Sequence, residues 1–178
     1  MSLKLMRQLS VFLLVVSLMG CTGVPDNVRP VEDFELPRYL GKWYEIARFD
    51  HSFEEGLSQV TATYSMREDG GVKVVNRGFS REENEWDEAE GKAYFEGEPS
   101  VGHLKVSFFG PFYASYVIMA LDKKEYQYSL VTGPDKSYLW ILARTPTLDE
   151  ATLNQLLKQA QQAGYDTSQL IWVDHTAP

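Results

Sequence analysis

Between residues 41 and 143, apolar and polar side chains alternate in short runs, each closed by a turn signal. The first run, 41–49, opens on Gly41 and carries Trp43, Tyr44, Ile46 and Phe49. Further runs follow at 57–66, 72–79, 86–95, 102–109, 112–121, 126–132 and 137–143. Period-two alternation with aromatic and β-branched residues predicts strands. Glu68-Asp69-Gly70-Gly71 reads as a strong hairpin turn. Residues 80–84, Gly97-Glu98-Pro99, Gly110-Pro111, Asp122-Lys123-Lys124-Glu125 and Gly133-Pro134-Asp135-Lys136 supply the other breaks. Eight evenly spaced strands with short connections predict an antiparallel meander. Such a sheet leaves two bare edges unless it closes into a barrel. At eight strands the inside is just wide enough to be filled by side chains or to hold one small ligand.

The period then changes. Leu153, Leu156, Leu157 and Ala160 recur at helical spacing. Thr147-Leu148-Asp149-Glu150 reads as a capping box and Gly164 as the C-terminal stop. One amphipathic helix is expected to lay its leucines on the outside of the sheet. A short helical turn is expected at 36–40 and a last short strand at 169–173. The fold class is therefore all-β: an eight-stranded antiparallel up-and-down barrel with one C-terminal α-helix and a short final strand.

The first twenty residues read as a signal segment. Lys4 and Arg7 precede an apolar run too short to span a bilayer. That run ends in Leu18-Met19-Gly20-Cys21, which resembles the bacterial lipobox. The resemblance implies that the Cys21 thiol carries a diacylglycerol, that the chain is cut before it, and that the new amine is acylated. Several acyl chains anchor stably, since each buried CH₂ contributes about 0.8 kcal/mol. Cys21 is the only cysteine, so no intrachain disulfide and no thiolate metal cluster forms. Thr22 rather than Asp follows it, which by resemblance to enterobacterial lipoproteins implies the outer membrane. Residues 21–33 read as a lipid-anchored linker, because Gly23, Pro25, Asn27 and Pro30 oppose regular structure. Residues 34–178 read as the folded domain.

Composition narrows the partners. The chain of 178 residues is 44% hydrophobic, enough for a real core, and its net charge is −8. Loss of Lys4 and Arg7 with the leader makes it more acidic still. Nucleic acid is a poor partner, because phosphates need clustered Lys and Arg. Ser58 lacks a Gly-x-Ser-x-Gly setting. His51, His103 and His175 are scattered and read as surface residues. The acidic run 82–90 lacks calcium-loop spacing and reads as a solvated face. Neither a catalytic constellation nor a metal or cofactor site emerges, so the chain reads as a binding protein rather than an enzyme. Glu45 is the puzzling carboxylate: alternation from Trp43 turns it inward, where it needs an ion pair or hydrogen bond.

The Gly41-Lys42-Trp43 strand, the meander, the helix and the last strand together resemble the lipocalins, over about 34–174. Gly41 and Trp43 match the first family landmark. At the second, usually Thr-Asp-Tyr, only Asp122 of Leu121-Asp122-Lys123 matches. The third, an arginine ending the eighth strand, is met by Arg144. The resemblance implies that Arg144 lies across Trp43 and closes the barrel floor. With that register, the inner face carries Ala62 and Tyr64, Val74 and Asn76, Gly91 and Ala93, and Leu104, Val106 and Phe108. It continues with Ala114, Tyr116 and Ile118, and with Tyr138, Trp140 and Leu142. The first and seventh strands resist assignment. Small residues among aromatics favour a cavity over a filled core. A mostly apolar lining with scattered hydroxyls suits an elongated amphiphile. Bacterial lipocalins imply a fatty acid or lysophospholipid, bound, stored or transported in the cell envelope. Two other readings stand beside it: a tetrapyrrole-binding lipocalin using His51 or His103, and an envelope interaction protein with a packed barrel. The apolar loop at Gly110-Pro111-Phe112-Tyr113 reads either as local packing or as a rim that touches ligand, membrane or a second copy in a homodimer.

Overall fold

A computed structural model describes residues 22–176; the signal segment and Cys21 lie outside the described residues. The strands are β1 Gly41–Arg48, β2 Leu57–Met66, β3 Val72–Ser80, β4 Glu85–Phe95, β5 His103–Ser107, β6 Ala114–Leu121, β7 Tyr128–Thr132 and β8 Trp140–Ala143. Each pairs antiparallel with the next. β1 pairs with both β2 and β8, so the meander closes into a barrel and the sheet loses its edges. The expected architecture is the one found. The eighth strand is shorter than expected. Residues 137–139 belong instead to the β7–β8 loop, where the Asp135 carboxylate accepts from the Ser137 amide and hydroxyl.

Closure is made in two halves. Near Trp43, β1 bonds β2, with Trp43 opposite Ala62. Farther along, β1 leaves β2 and pairs with the short β9, Ile171–Trp172. The chain just after β9 spans the gap: Val173 N–H donates to the Ile46 carbonyl, and Gln59 N–H to the Asp174 carbonyl. Asp174 also pairs with Arg81. The final strand expected from the sequence is thus a wedge between β1 and β2.

Two cores flank the sheet. The inner one contains Trp43, Tyr64, Val74, Ala93, Leu104, Ile118, Val131 and Leu142. The outer one packs Leu156 and Ala160 of helix α2, Glu150–Gln162, on Ala47, Val117, Leu130 and Ile141. A leucine buried as fully as Leu156 contributes about 1.5–3 kcal/mol. Helix α2 is capped by Asp149, whose carboxylate accepts from the Thr152 amide at 2.9 Å and from its hydroxyl at 2.7 Å. That corrects the expected capping box, which put Thr147 in the role. At the other end Gly164 takes φ +91. The bonds Tyr165 N–H to Ala160 O and Gly164 N–H to Gln161 O complete a Schellman stop.

The described part of the segment read from composition as a linker, residues 22–33, is docked. Gly23 O accepts from the Ser115 hydroxyl at 2.6 Å. Val31 exchanges backbone bonds with Ile118 and Gly102, and Phe34 N–H donates to Ser100 O. Val28 is buried in the outer core. The segment runs along β5 and β6 and delivers helix α1, Leu36–Tyr39, to the barrel floor.

Candidate functional site

The floor is built from aromatic rings. Arg144 lays its guanidinium over the Trp43 ring, 3.9 Å from the centroid. It also donates to the carbonyls of Arg38, Lys42 and Tyr126. Gly41 stands beside it at φ +94, where a side chain would be strained. The Trp43 indole N–H donates to Tyr39 O at 2.8 Å. Asp122 organises the neighbouring turn, its carboxylate accepting from the Lys124 and Gln127 amides. The residues named as family landmarks therefore converge at one end of the barrel.

Helix α1 pushes Tyr39 up into the barrel. Its ring lies 4.6 Å from Trp43 and 5.5 Å from Tyr64. Its hydroxyl meets Tyr116 Oη at 2.8 Å and donates to Ser129 Oγ at 3.3 Å. Tyr64 Oη closes the row at 2.9 Å from Tyr116. One proton order satisfies the row: Tyr64 to Tyr116 to Tyr39 to Ser129. Burial pushes the Tyr39 phenol up to about 12, against opposing hydrogen bonds and the Arg144 charge. Burial likewise holds Tyr64 and Tyr116 well above the usual phenol range. These are neutral hydroxyls.

Farther from the floor, charge is buried. Glu45 accepts from Arg48 at 2.9 Å, and both are almost wholly enclosed. Glu54 folds in from the β1–β2 loop, 3.9 Å from Arg48 Nε, and accepts from the Trp140 indole at 3.1 Å. Arg48 is held further by the carbonyls of Glu54 and Leu57. One cation faces two carboxylates. Burial, and then the Glu54 charge, push Glu45 up to about 8 despite Arg48. Burial raises Glu54 as well, against Trp140 and Arg48. Both shifts work against full ionisation of the two carboxylates around the one cation. Glu45 does face inward with an ion-pair partner, as alternation from Trp43 required.

Most of the expected lining residues come together. Ala62, Tyr64, Val74, Ala93, Val106, Phe108, Tyr116, Ile118, Trp140 and Leu142 all belong to the inner core. Asn76 lies opposite Ala62, two residues from Val74 on the same strand face. Tyr138 sits in the β7–β8 loop and stacks on His51, with ring centroids 4.2 Å apart. Ala62, Val106, Phe108, Tyr116 and Trp140 keep partial exposure, whereas Trp43, Ile118 and Leu142 are shut off. The lining thus grades from a filled floor to an apolar wall reached by solvent.

Two expectations need correction. Small inward residues were expected to leave room for a ligand. At Gly91 the room is taken: an added Cβ would sit 2.9 Å from the Phe108 ring and 2.8 Å from Ser107 O. The glycine admits a neighbouring aromatic. The histidines, expected at the surface, are all partly enclosed. His51 is stacked between Phe53 and Tyr138, and burial lowers its pKa. His103 reaches Ser115 Oγ at 3.4 Å, on the strand face opposite Leu104. His175 Nε2 lies 2.8 Å from Glu45 O. Among the described residues the one acidic triplet close enough to share an ion, Glu83, Glu85 and Asp87, is fully exposed on the β3–β4 hairpin.

Tyr39, Ser129, Arg48 and Glu54 were not anticipated. A bulge between Glu45 and Ala47 hid Arg48. Ile46 and Ala47 both pack in the outer core, and the parity of β1 reverses after them.

A family model described as a lipocalin-like domain matches residues 34–175. A protein of Vibrio cholerae named outer membrane lipoprotein Blc is 56% identical over 168 residues, covering 94% of this chain and 98% of that protein. The protein of the same name from Escherichia coli is 54% identical over 149 residues, 84% of each. Among solved structures, insecticyanin from the tobacco hornworm Manduca sexta superposes with a TM-score of 0.69 at 24% identity. That match covers 86% of this chain and 87% of the other.

Proposed function

Because the chain belongs to the lipocalin family, we propose that it binds a small hydrophobic ligand in its barrel as a lipid-anchored lipoprotein of the outer membrane. The ligand class is a single-chain amphiphile, a fatty acid or a lysophospholipid. The observation that carries this reading is the graded lining. Val106, Phe108, Tyr116 and Trp140 form a partly exposed apolar wall above a sealed floor. An acyl chain can lie on that wall, with its head toward the open end of the barrel. Binding, storage or carriage needs no bond making, and no nucleophile with an activating base stands in the barrel among the described residues. Cys21 supplies the anchor, and the relatives named as outer membrane lipoproteins support that location.

Native mass spectrometry of protein extracted mildly from membranes tests the reading. A bound fatty acid or lysophospholipid of defined mass supports it. Protein that comes out empty and takes up neither lipid from micelles contradicts it.

A further inference from the structure

The β5–β6 loop carries the two most exposed large apolar side chains described, Phe109 at 80% and Phe112 at 75% exposure. Two solvated phenyl rings three residues apart on one loop call for a partner. The barrel topology places this loop at the end opposite the Trp43 floor, beside the wall formed by Phe108 and Val106.

The docked N-terminal segment says what the partner is. Close to its start, Gly23 O accepts from Ser115 Oγ, on the outer face at the loop end of β6. Phe112 precedes Ser115 by three residues, a span of at most about 11 Å. Cys21 precedes Gly23 by two residues, a span of at most about 7 Å. The acylated end and the exposed rings therefore share one side and one end of the barrel. Beside the rings stand amphipathic residues suited to a lipid interface. Tyr113 lies next to Phe112, with Lys92 and Lys105 Nζ 6.0 and 5.9 Å from its ring. Aromatic rings and long basic side chains settle at the level of lipid headgroups. The β3–β4 rim is the opposite in character, with Glu82, Glu83 and Glu85 exposed.

We propose that the β5–β6 loop is a second membrane contact, with Phe109 and Phe112 entering the same lipid surface that holds the acyl chains of Cys21. The anchor then sets orientation as well as location. The barrel leans on its β5–β6 edge, and an amphiphile can pass between bilayer and wall without crossing bulk water. This rests on the anchored, ligand-binding reading above.

The test uses the full acylated protein. Its only native thiol is consumed by acylation, so one added cysteine is a unique label site. Gly110→Cys suits the loop, since nothing lies within 4 Å of an added Cβ there. Glu83→Cys marks the acidic rim. Each labelled protein is reconstituted into vesicles of phosphatidylethanolamine and phosphatidylglycerol bearing a quencher on the acyl chains. Quenching at 110 with little at 83, lost when Phe109 and Phe112 both become Ser, is the expected result. Equal quenching at the two sites overturns the proposal, as does a loop label shielded by self-association into a dimer. Protein that fails to float with the vesicles refutes the anchor itself. The double Ser variant should still bind a fluorescent fatty acid in solution with parental affinity. A loss there would make the loop a ligand contact and refute its role as a membrane contact.

Discussion

The Arg144 guanidinium covers the Trp43 indole at 3.9 Å and ties three floor carbonyls together. Arg144→Ala removes the cation–π contact and leaves those carbonyls short of a donor. A loss of about 1–3 kcal/mol in urea unfolding is expected. An unchanged midpoint and slope would remove Arg144 from that role.

Tyr116 sits between Tyr39 and Tyr64. Tyr116→Phe keeps the ring but strands the enclosed Tyr64 hydroxyl, while Tyr39 still donates to Ser129; the loss costs about 1–3 kcal/mol. The melting temperature should fall, and Tyr64→Phe in the same background should recover part of it. Additive losses would mean the row does not act as a unit.

Glu45 is driven from an ordinary 4.5 to about 8, first by burial. The folded state thus holds a proton that the unfolded chain releases. Its contribution is fully present below about 4.5 and is lost as pH rises through about 8. Stability measured by denaturant titration should decline across that window. Glu45→Gln should flatten the decline. The same slope in both proteins would show that another group causes it.

Cys21→Ala should leave the chain unacylated and release it from membranes. Sedimentation of that variant with the outer membrane, as for the parent, would contradict the anchor.

Much of this was readable in advance, for reasons visible in particular residues. β2 was placed at its exact ends because Tyr64 and Ala62 alternate with Thr and Ser between two glycine-marked turns. β7 gave no contrast. Val131 faces in and Leu130 out, and both are apolar. β1 resisted assignment because its bulge reverses parity, so Arg48 could not be joined to Glu45. Tyr39 was hidden for another reason. A ring carried into the barrel by a four-residue helix leaves no periodic trace. The docking of residues 22–33 was illegible because single backbone hydrogen bonds, such as Val31 to Ile118, do not depend on side-chain type.

The most direct measurement is titration of the unacylated domain with a fluorescent fatty acid, with lysophospholipid as competitor. Val106→Trp serves as the plugged variant, and its melting curve is checked alongside. Saturable binding by the parent, displaced by lysophospholipid and lost in the folded Val106→Trp protein, is expected. A parent that binds neither lipid, or a plugged barrel that binds as well as the open one, would contradict ligand binding at this wall.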